Sequence, residues 1–267
     1  MQILLKDGKK IYFASDFHLG VDVKVTSKER ERQLVRWLDT IKKDAQAIFL
    51  VGDVFDFWFE YSTVVPKGFV RILGKLGELS DAGIQLFFFT GNHDMWVFKY
   101  FEEELNCPTF RSPQLFEVNG IKMLIGHGDG LGPGDYGYKF IKKIFSNKIC
   151  QWLFERFHPN FGIGLANFWS SKSREHNHNE HFFYGEDKEW LIQYCNEYLS
   201  KSNKGAEIDY FVFGHRHLPI DFILKNNRSR YINLGDWMNY NSFGVFDGSK
   251  FSIQYFENEI SSTYTNH

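Results

Sequence analysis

Five short stretches of the chain hold the residues able to do chemistry. They are "SDFH" with Asp16 and His18, "VGDVFD" with Asp53, "TGNHD" with Asn92, His93 and Asp94, "IGHGD" with His127, and "FGHRH" with His215 and His217. Each follows a run of apolar residues that reads as a buried strand. A lone histidine in such a place is usually a satisfied structural residue. Seven oxygen and nitrogen donors gathered at strand ends (Asp16, His18, Asp53, Asn92, His127, His215 and His217) are a different case. Buried without a cation, they would leave many polar atoms unpaired. Such a set suits two divalent ions sharing one bridging carboxylate, an arrangement that clamps the attacking and leaving oxygens of phosphoryl transfer. With imidazole and carboxylate donors and no thiolate, Mn²⁺, Fe²⁺ and Zn²⁺ all fit.

The elements that must place these groups follow from periodicity. "KIYFAS" (10–15), "AIFLV" (47–51) and "IQLFFFT" (84–90) read as strands buried on both faces. Between them, 27–43 puts Leu34, Val35, Leu38 and Ile41 on one helical face, with Ser27 as N-cap. Residues 66–82 set Val70, Leu73, Leu76 and Leu79 at helical spacing, with Pro66 in the first turn. Strands alternating with helices predict a largely parallel inner sheet, and ligands bind beyond the carboxyl ends of such strands. Further on, "LFEVNGIKMLIG" turns at Asn119-Gly120, a strong hairpin signal, and "YFVFG" is another buried strand. "FILKNNRSRYIN" and "FGVFDGSKFSIQYF" read as further hairpins. The fold class is therefore α/β, a sandwich whose later strands are antiparallel. Residues 1–130 and 186–260 form the core, 131–185 an inserted cap rich in glycine and aromatics, and 261–267 a polar tail.

Composition narrows the classes. A chain of 267 residues with 43% hydrophobic content can fill a sizeable core without staples. A net charge of −2 gives no global attraction to polyanions, so no nucleic-acid partner is expected. Cys107, Cys150 and Cys195 are odd in number and far apart, which fits reduced thiols. "MQILLKDGKK" lacks the apolar segment of a leader, and no 18 apolar residues run together, so a cytoplasmic protein is expected.

The ordered set D-x-H, GDxxD, GNHD, GHxD and GHxH, over residues 10–217, resembles the calcineurin-like metallophosphoesterases. The resemblance implies an αββα sandwich of two mixed sheets flanked by helices. It implies that Asp16, His18 and His217 hold one metal, that Asp53 bridges, and that Asn92, His127 and His215 hold the other. His93 would face the substrate, with Asp94 orienting it. Within this superfamily, "GDVFDFWFE" and "HGDGLGPGDYGYKF" are similar to the UDP-2,3-diacylglucosamine diphosphatases of lipid A biosynthesis. That resemblance implies a substrate site lined by Asp135 and Tyr138, and by Ser173, Arg174 and Asn177 of a Ser-basic-Glu-x-Asn stretch. It also implies cleavage of a UDP-linked glycolipid to lipid X and UMP, with Mn²⁺ the expected pair of ions. The chain departs from better-known members in having His93 where they have Arg, and Glu180 where they have Lys.

The cap bears on the substrate. Ile141, Phe145, Ile149 and Leu153 recur every fourth residue among Lys139, Lys142, Lys143, Lys148 and Arg156. Spacing alone fits the inner face of a cap packed on the sandwich. Basic amphipathic helices with aromatics also lie at anionic membrane surfaces. The resemblance tips the balance to acyl-chain binding and peripheral contact with the inner membrane, with no obligate protein partner. A soluble phosphodiester or pyrophosphate substrate is the alternative. A non-catalytic scaffold is disfavoured, because all seven donors and His93 are present.

Overall fold

The three phenylalanines before Thr90 divide between two cores. Phe87 and Phe89 point between two sheets, and Phe88 points outward onto helices. Successive side chains on a strand face opposite ways, so a strand covered on both faces needs no polar side. The computed structural model describes residues 1–134, 136–164, 182–201, 207–257 and 263–266.

One sheet sets β2 (Lys10–Ala14), β3 (Ala45–Val51), β4 (Gln85–Phe89) and β5 (Thr109–Phe110) side by side and parallel. β11 (Ser242–Phe246) and β12 (Phe251–Tyr255) extend it antiparallel beyond β2. The other sheet runs in the order β1 (Gln2–Ile3), β6 (Gln114–Val118), β7 (Ile121–Ile125), β8 (Tyr210–Phe213), β10 (Arg230–Leu234), β9 (Pro219–Ile223) and β13 (Tyr264–Thr265). Both sheets are mixed, as expected. Helices α1 (Ser27–Ile41) and α2 (Val70–Asp81) cover the outer face of the first sheet, and α3 (Tyr100–Leu105) lies beside α2. α6 (Trp190–Lys201) covers the second sheet. Between the cap helices α4 (Tyr136–Phe145) and α5 (Lys148–Glu155) lie only Ser146 and Asn147.

Several phenylalanines fill the space between the sheets. Phe13, Phe49 and Phe87 stack across neighbouring strands at centroid separations of 4.9 and 4.6 Å, and Phe116 of the opposite sheet meets Phe49 edge-on at 4.9 Å. Each such ring removed from water contributes roughly 1.5–3 kcal/mol. The layer is a stiff platform, and the chemistry sits at its rim.

Several local expectations change. The N-cap of α1 is Thr26, in a reciprocal capping box with Glu29, while Ser27 Oγ accepts from Gly20 N at 2.7 Å. α2 begins at Val70 because Gly68 (φ +106°) and Phe69 (φ +56°) are left-handed, which places Pro66 outside the helix. Val70 is exposed, and Ile72 takes the buried position. The turn at Asn119-Gly120 has both residues at positive φ, as a two-residue hairpin requires. In the polar tail, Tyr264–Thr265 adds a parallel edge strand beside β9, and the Tyr264 ring packs on Phe183.

Candidate metal centre

The five polar clusters meet where β2, β3, β4, β7 and β8 end. The backbone there is unusual. Asp16, His18, Asp53, His215 and His217 all have positive φ, between +45° and +68°. A non-glycine residue held so costs of order 1–3 kcal/mol and persists only where its surroundings fix it. The glycines ahead of the donors make the room. A Cβ on Gly52 would strike the His127 ring, one on Gly91 the Asp53 carboxylate, and one on Gly214 the Asp16 carboxylate. These three glycines give up a side chain so that another strand's donor can enter, whereas Gly126 ahead of His127 makes room for Pro113.

Among the described residues three groups of donor atoms converge: Asp16, His18 and His217 on one side, Asp53, His127 and His215 on the other, and a third in which His18 meets Asp56 and His93. Asp53 Oδ2 lies between the first two, 3.7 Å from His18 Nε2 and 3.2 Å from His127 Nε2. Asp16 Oδ1 is 3.9 Å from His18 Nε2 and 3.5 Å from His217 Nε2, and Asn92 Oδ1 is 3.3 Å from His127 Nε2.

The opposite ring nitrogens are held by acceptors. His18 Nδ1 faces the Asp56 carboxylate at 3.3 Å, His217 Nδ1 faces Asp236 at 3.3 Å, and His127 Nδ1 bonds the Val51 carbonyl at 2.8 Å. An acceptor on Nδ1 fixes the proton there and turns the Nε2 lone pair toward the cluster, the tautomer a metal-binding histidine needs. Among the described residues, buried Asp16 Oδ1 and His18 Nε2 have no hydrogen-bond partner, and no lysine or arginine pairs with Asp16 or Asp53. The donor set fits divalent cations.

The electrostatics agree. Burial lowers His18 and His127, but the surrounding carboxylates, Asp16 and Asp56 foremost at His18 and Asp53 at His127, outweigh it and raise each to about 10. His215, where burial and the charge of His127 act together, falls to about 4. The carboxylates of the cluster are thus balanced by protons on His18 and His127, positive charge that a bound cation would replace.

His93 and Asp94 take different hydrogen-bond partners. His93 Nδ1 bonds the backbone carbonyl of Asp56 at 2.9 Å, and His93 N donates to Asp53 Oδ1 at 2.9 Å. Asp94 instead accepts from Gly91 N at 2.7 Å, Val54 N at 2.8 Å and Phe55 N at 3.4 Å, stapling two site loops together. Burial, then the charge of Asp53, raises its carboxyl to about 7. Asp56 supplies the carbonyl that His93 Nδ1 meets. Sequence reasoning assigned no role to Asp56 or Asp236, though the signal was present: "VFD" closes the GDxxD motif, and "NLGDW" repeats the strand–Gly–Asp pattern.

Tyr138 OH donates to Asp129 Oδ2 at 2.5 Å, and Lys142 Nζ meets the same carboxylate at 2.5 Å, which anchors α4 beside His127. Asp135, Ser173, Arg174 and Asn177 lie outside the described residues. The fourfold apolar stripe of the cap is split between two helices, because Asn147 ends one and caps the next. Phe145 and Phe154 turn inward onto Trp96, at 5.2 and 4.7 Å, and Trp96 Nε1 donates to the Phe145 carbonyl. Phe140, Ile144, Ile149, Trp152, Leu153 and Phe157 remain exposed.

A family model for calcineurin-like phosphoesterases matches residues 9–219. A UDP-2,3-diacylglucosamine hydrolase of Porphyromonas gingivalis is 38% identical over 93% of this chain and 98% of its own length. Another of that name from Aeromonas salmonicida is 25% identical, over 86% of this chain and 87% of its own. Among solved structures, a phosphoesterase from E. coli superposes with a TM-score of 0.47 at 16% identity, covering 93% of each chain.

Proposed function

The chain belongs to the calcineurin-like phosphoesterase family, and within it we propose that this metal-dependent hydrolase cleaves the pyrophosphate of UDP-2,3-diacylglucosamine to 2,3-diacylglucosamine 1-phosphate and UMP. One observation carries the reading: a cluster of phosphoesterase donors lies beside a helix pair that exposes large apolar side chains. An exposed apolar patch of that kind marks a site for lipid or a partner, and a soluble nucleotide needs none.

Asp16, His18 and His217 would hold one ion and Asn92, His127 and His215 the other, with Asp53 shared. Divalent ions so held supply Lewis-acid charge to phosphoryl oxygens and make water a usable nucleophile near neutrality. Mn²⁺ is the ion proposed.

The chain's own groups do the rest. His93 keeps its proton at Nδ1 on the Asp56 carbonyl, so Nε2 is the nitrogen that gains or gives up a proton at the phosphate. Burial lowers the affinity of His93 for a second proton, despite Asp53 nearby, so the ring rests neutral unless the negative charge of a bound phosphate draws that proton onto Nε2. Tyr138, Asp135, Ser173, Arg174 and Asn177 would line the path of the UDP-sugar. Residues 131–185 act as a cap for the acyl chains, each buried methylene contributing roughly 0.8 kcal/mol. Among the described residues no helix is long and apolar enough to cross a membrane. We place the protein in the cytoplasm, resting on the inner membrane through the exposed cap face.

The test is a substrate panel. Protein with Mn²⁺ is given UDP-2,3-diacylglucosamine, UDP-N-acetylglucosamine and bis-p-nitrophenyl phosphate at equal concentration. Preference for the diacylated substrate by at least tenfold in kcat/KM supports the assignment. Equal or better use of a soluble substrate rejects it.

A further inference from the structure

Arg216 stands between His215 and His217, yet its side chain turns away from them into the protein and is only 4% exposed. Its Nε donates to Glu189 Oε2 at 3.0 Å, its NH2 donates to the Phe182 carbonyl at 2.6 Å, and its guanidinium lies 5.3 Å from the centre of the Trp190 ring. These three partners belong to one segment, 182–190, which leads out of the cap into α6. The same segment and the first turn of α6 reach both histidine loops. Trp190 meets the His215 ring edge-on at 6.4 Å, Leu191 lies against Gly128 beside His127, and the Trp190 carbonyl fills the space a Cβ on Gly132 would need.

A buried arginine–glutamate pair is costly to desolvate and is a poor source of stability in itself. The planar fork of arginine, by contrast, fixes two acceptors in direction at once. Here those acceptors are a glutamate at the entry to α6 and a backbone carbonyl of the cap stem, while the arginine backbone is part of a left-handed turn carrying two metal-type donors.

We propose that Arg216 is a positioning residue coupling the cap stem to the metal centre, so that metal binding at His215 and His217 and the placement of residues 182–189 stabilise one another. The proposal rests on the assignment of those histidines as ligands. Coupling is reciprocal: what the stem gives to metal affinity, the metal gives back to the order of the stem.

The experiment uses the full chain, stripped of metal, with no substrate. Mn²⁺ affinity is measured by calorimetry, and amide exchange of residues 182–189 is measured with and without Mn²⁺. In the wild type, Mn²⁺ is expected to slow exchange of the stem severalfold. Arg216→Met should weaken Mn²⁺ binding at least tenfold and abolish that protection. Arg216→Lys, which keeps the charge but loses the fork, should fall between the two. The double variant Arg216→Met with Glu189→Met removes the unpaired buried charge, so it should melt near the wild type while still lacking tight Mn²⁺ binding and stem protection. A double variant of restored stability that binds Mn²⁺ as the wild type does would reduce Arg216 to a packing residue and overturn the proposal. So would a lysine variant of wild-type affinity, or a wild-type stem indifferent to Mn²⁺. A wild-type chain that takes up no Mn²⁺ would defeat the metal reading and this inference with it.

Discussion

Asp56 holds His93 by its backbone and His18 by its side chain: its carbonyl oxygen lies 2.9 Å from His93 Nδ1, and its carboxylate 3.3 Å from His18 Nδ1. The two roles can be separated by mutation. Asp56→Ala keeps the carbonyl and removes the carboxylate, which faces His18 Nδ1 at 3.3 Å and also lies 3.7 Å from His93 Nδ1. Loss of such a supporting carboxylate typically weakens metal binding about 10–100-fold. Titration of metal-free protein with Mn²⁺ should show that loss, and unchanged affinity would remove Asp56 from the metal centre.

His93 Nδ1 bonds the Asp56 carbonyl, and His93 is not among the seven proposed ligands. His93→Ala should therefore lower turnover by roughly 10²–10⁴ with bound metal unchanged. His93→Arg should retain more activity than alanine if positive charge at the phosphate matters more than proton donation. Turnover and metal content measured on the same preparations check both statements.

Asp94 predicts a different phenotype. It accepts three backbone amides from two loops, and Asp94→Ala would leave buried donors unpaired at a cost of about 3 kcal/mol. Urea unfolding should show this loss directly. A variant as stable as the wild type but inactive would return Asp94 to the chemistry.

The cap helices divide into two kinds of position. Phe145 and Phe154 pack on Trp96, so changing either to serine should lower the melting temperature and depress activity toward every substrate. Ile149 is 68% exposed and Leu153 53%, so changing that pair to serine should leave the melting temperature alone. Their loss should instead cut kcat/KM for the diacylated substrate well beyond any effect on bis-p-nitrophenyl phosphate. A parallel fall on both substrates would mean that these side chains serve packing.

Much of the fold was legible because strand and helix patterns differ in period. The Phe87–Phe89 run, the Asn119-Gly120 turn and the later hairpins each carried a local signal that tertiary packing did not override. Donors at the strand ends were legible for a related reason: polar residues directly after buried strands have few bland explanations. What pattern could not supply was partnership across the chain. That Asp94 serves amides of residues 54 and 55, and that Asp236 stands behind His217, depends on which loops meet in space. The same limit misjudged the cap, where one apolar stripe proved to be two helices joined at Asn147, facing both inward and outward. It also hid the last strand, since Tyr264–Thr265 pairs with β9 through backbone atoms that side-chain pattern does not report.

The account turns on one cleavage, of one bond, in one lipid-linked substrate. Hydrolysis of UDP-2,3-diacylglucosamine in ¹⁸O-water, with both products weighed by mass spectrometry, tests it in a single measurement. The account predicts one ¹⁸O in UMP and none in the diacylglucosamine 1-phosphate, because water attacks the phosphorus attached to uridine. Label in the lipid product, or no cleavage under conditions where a soluble diester is consumed, would contradict it.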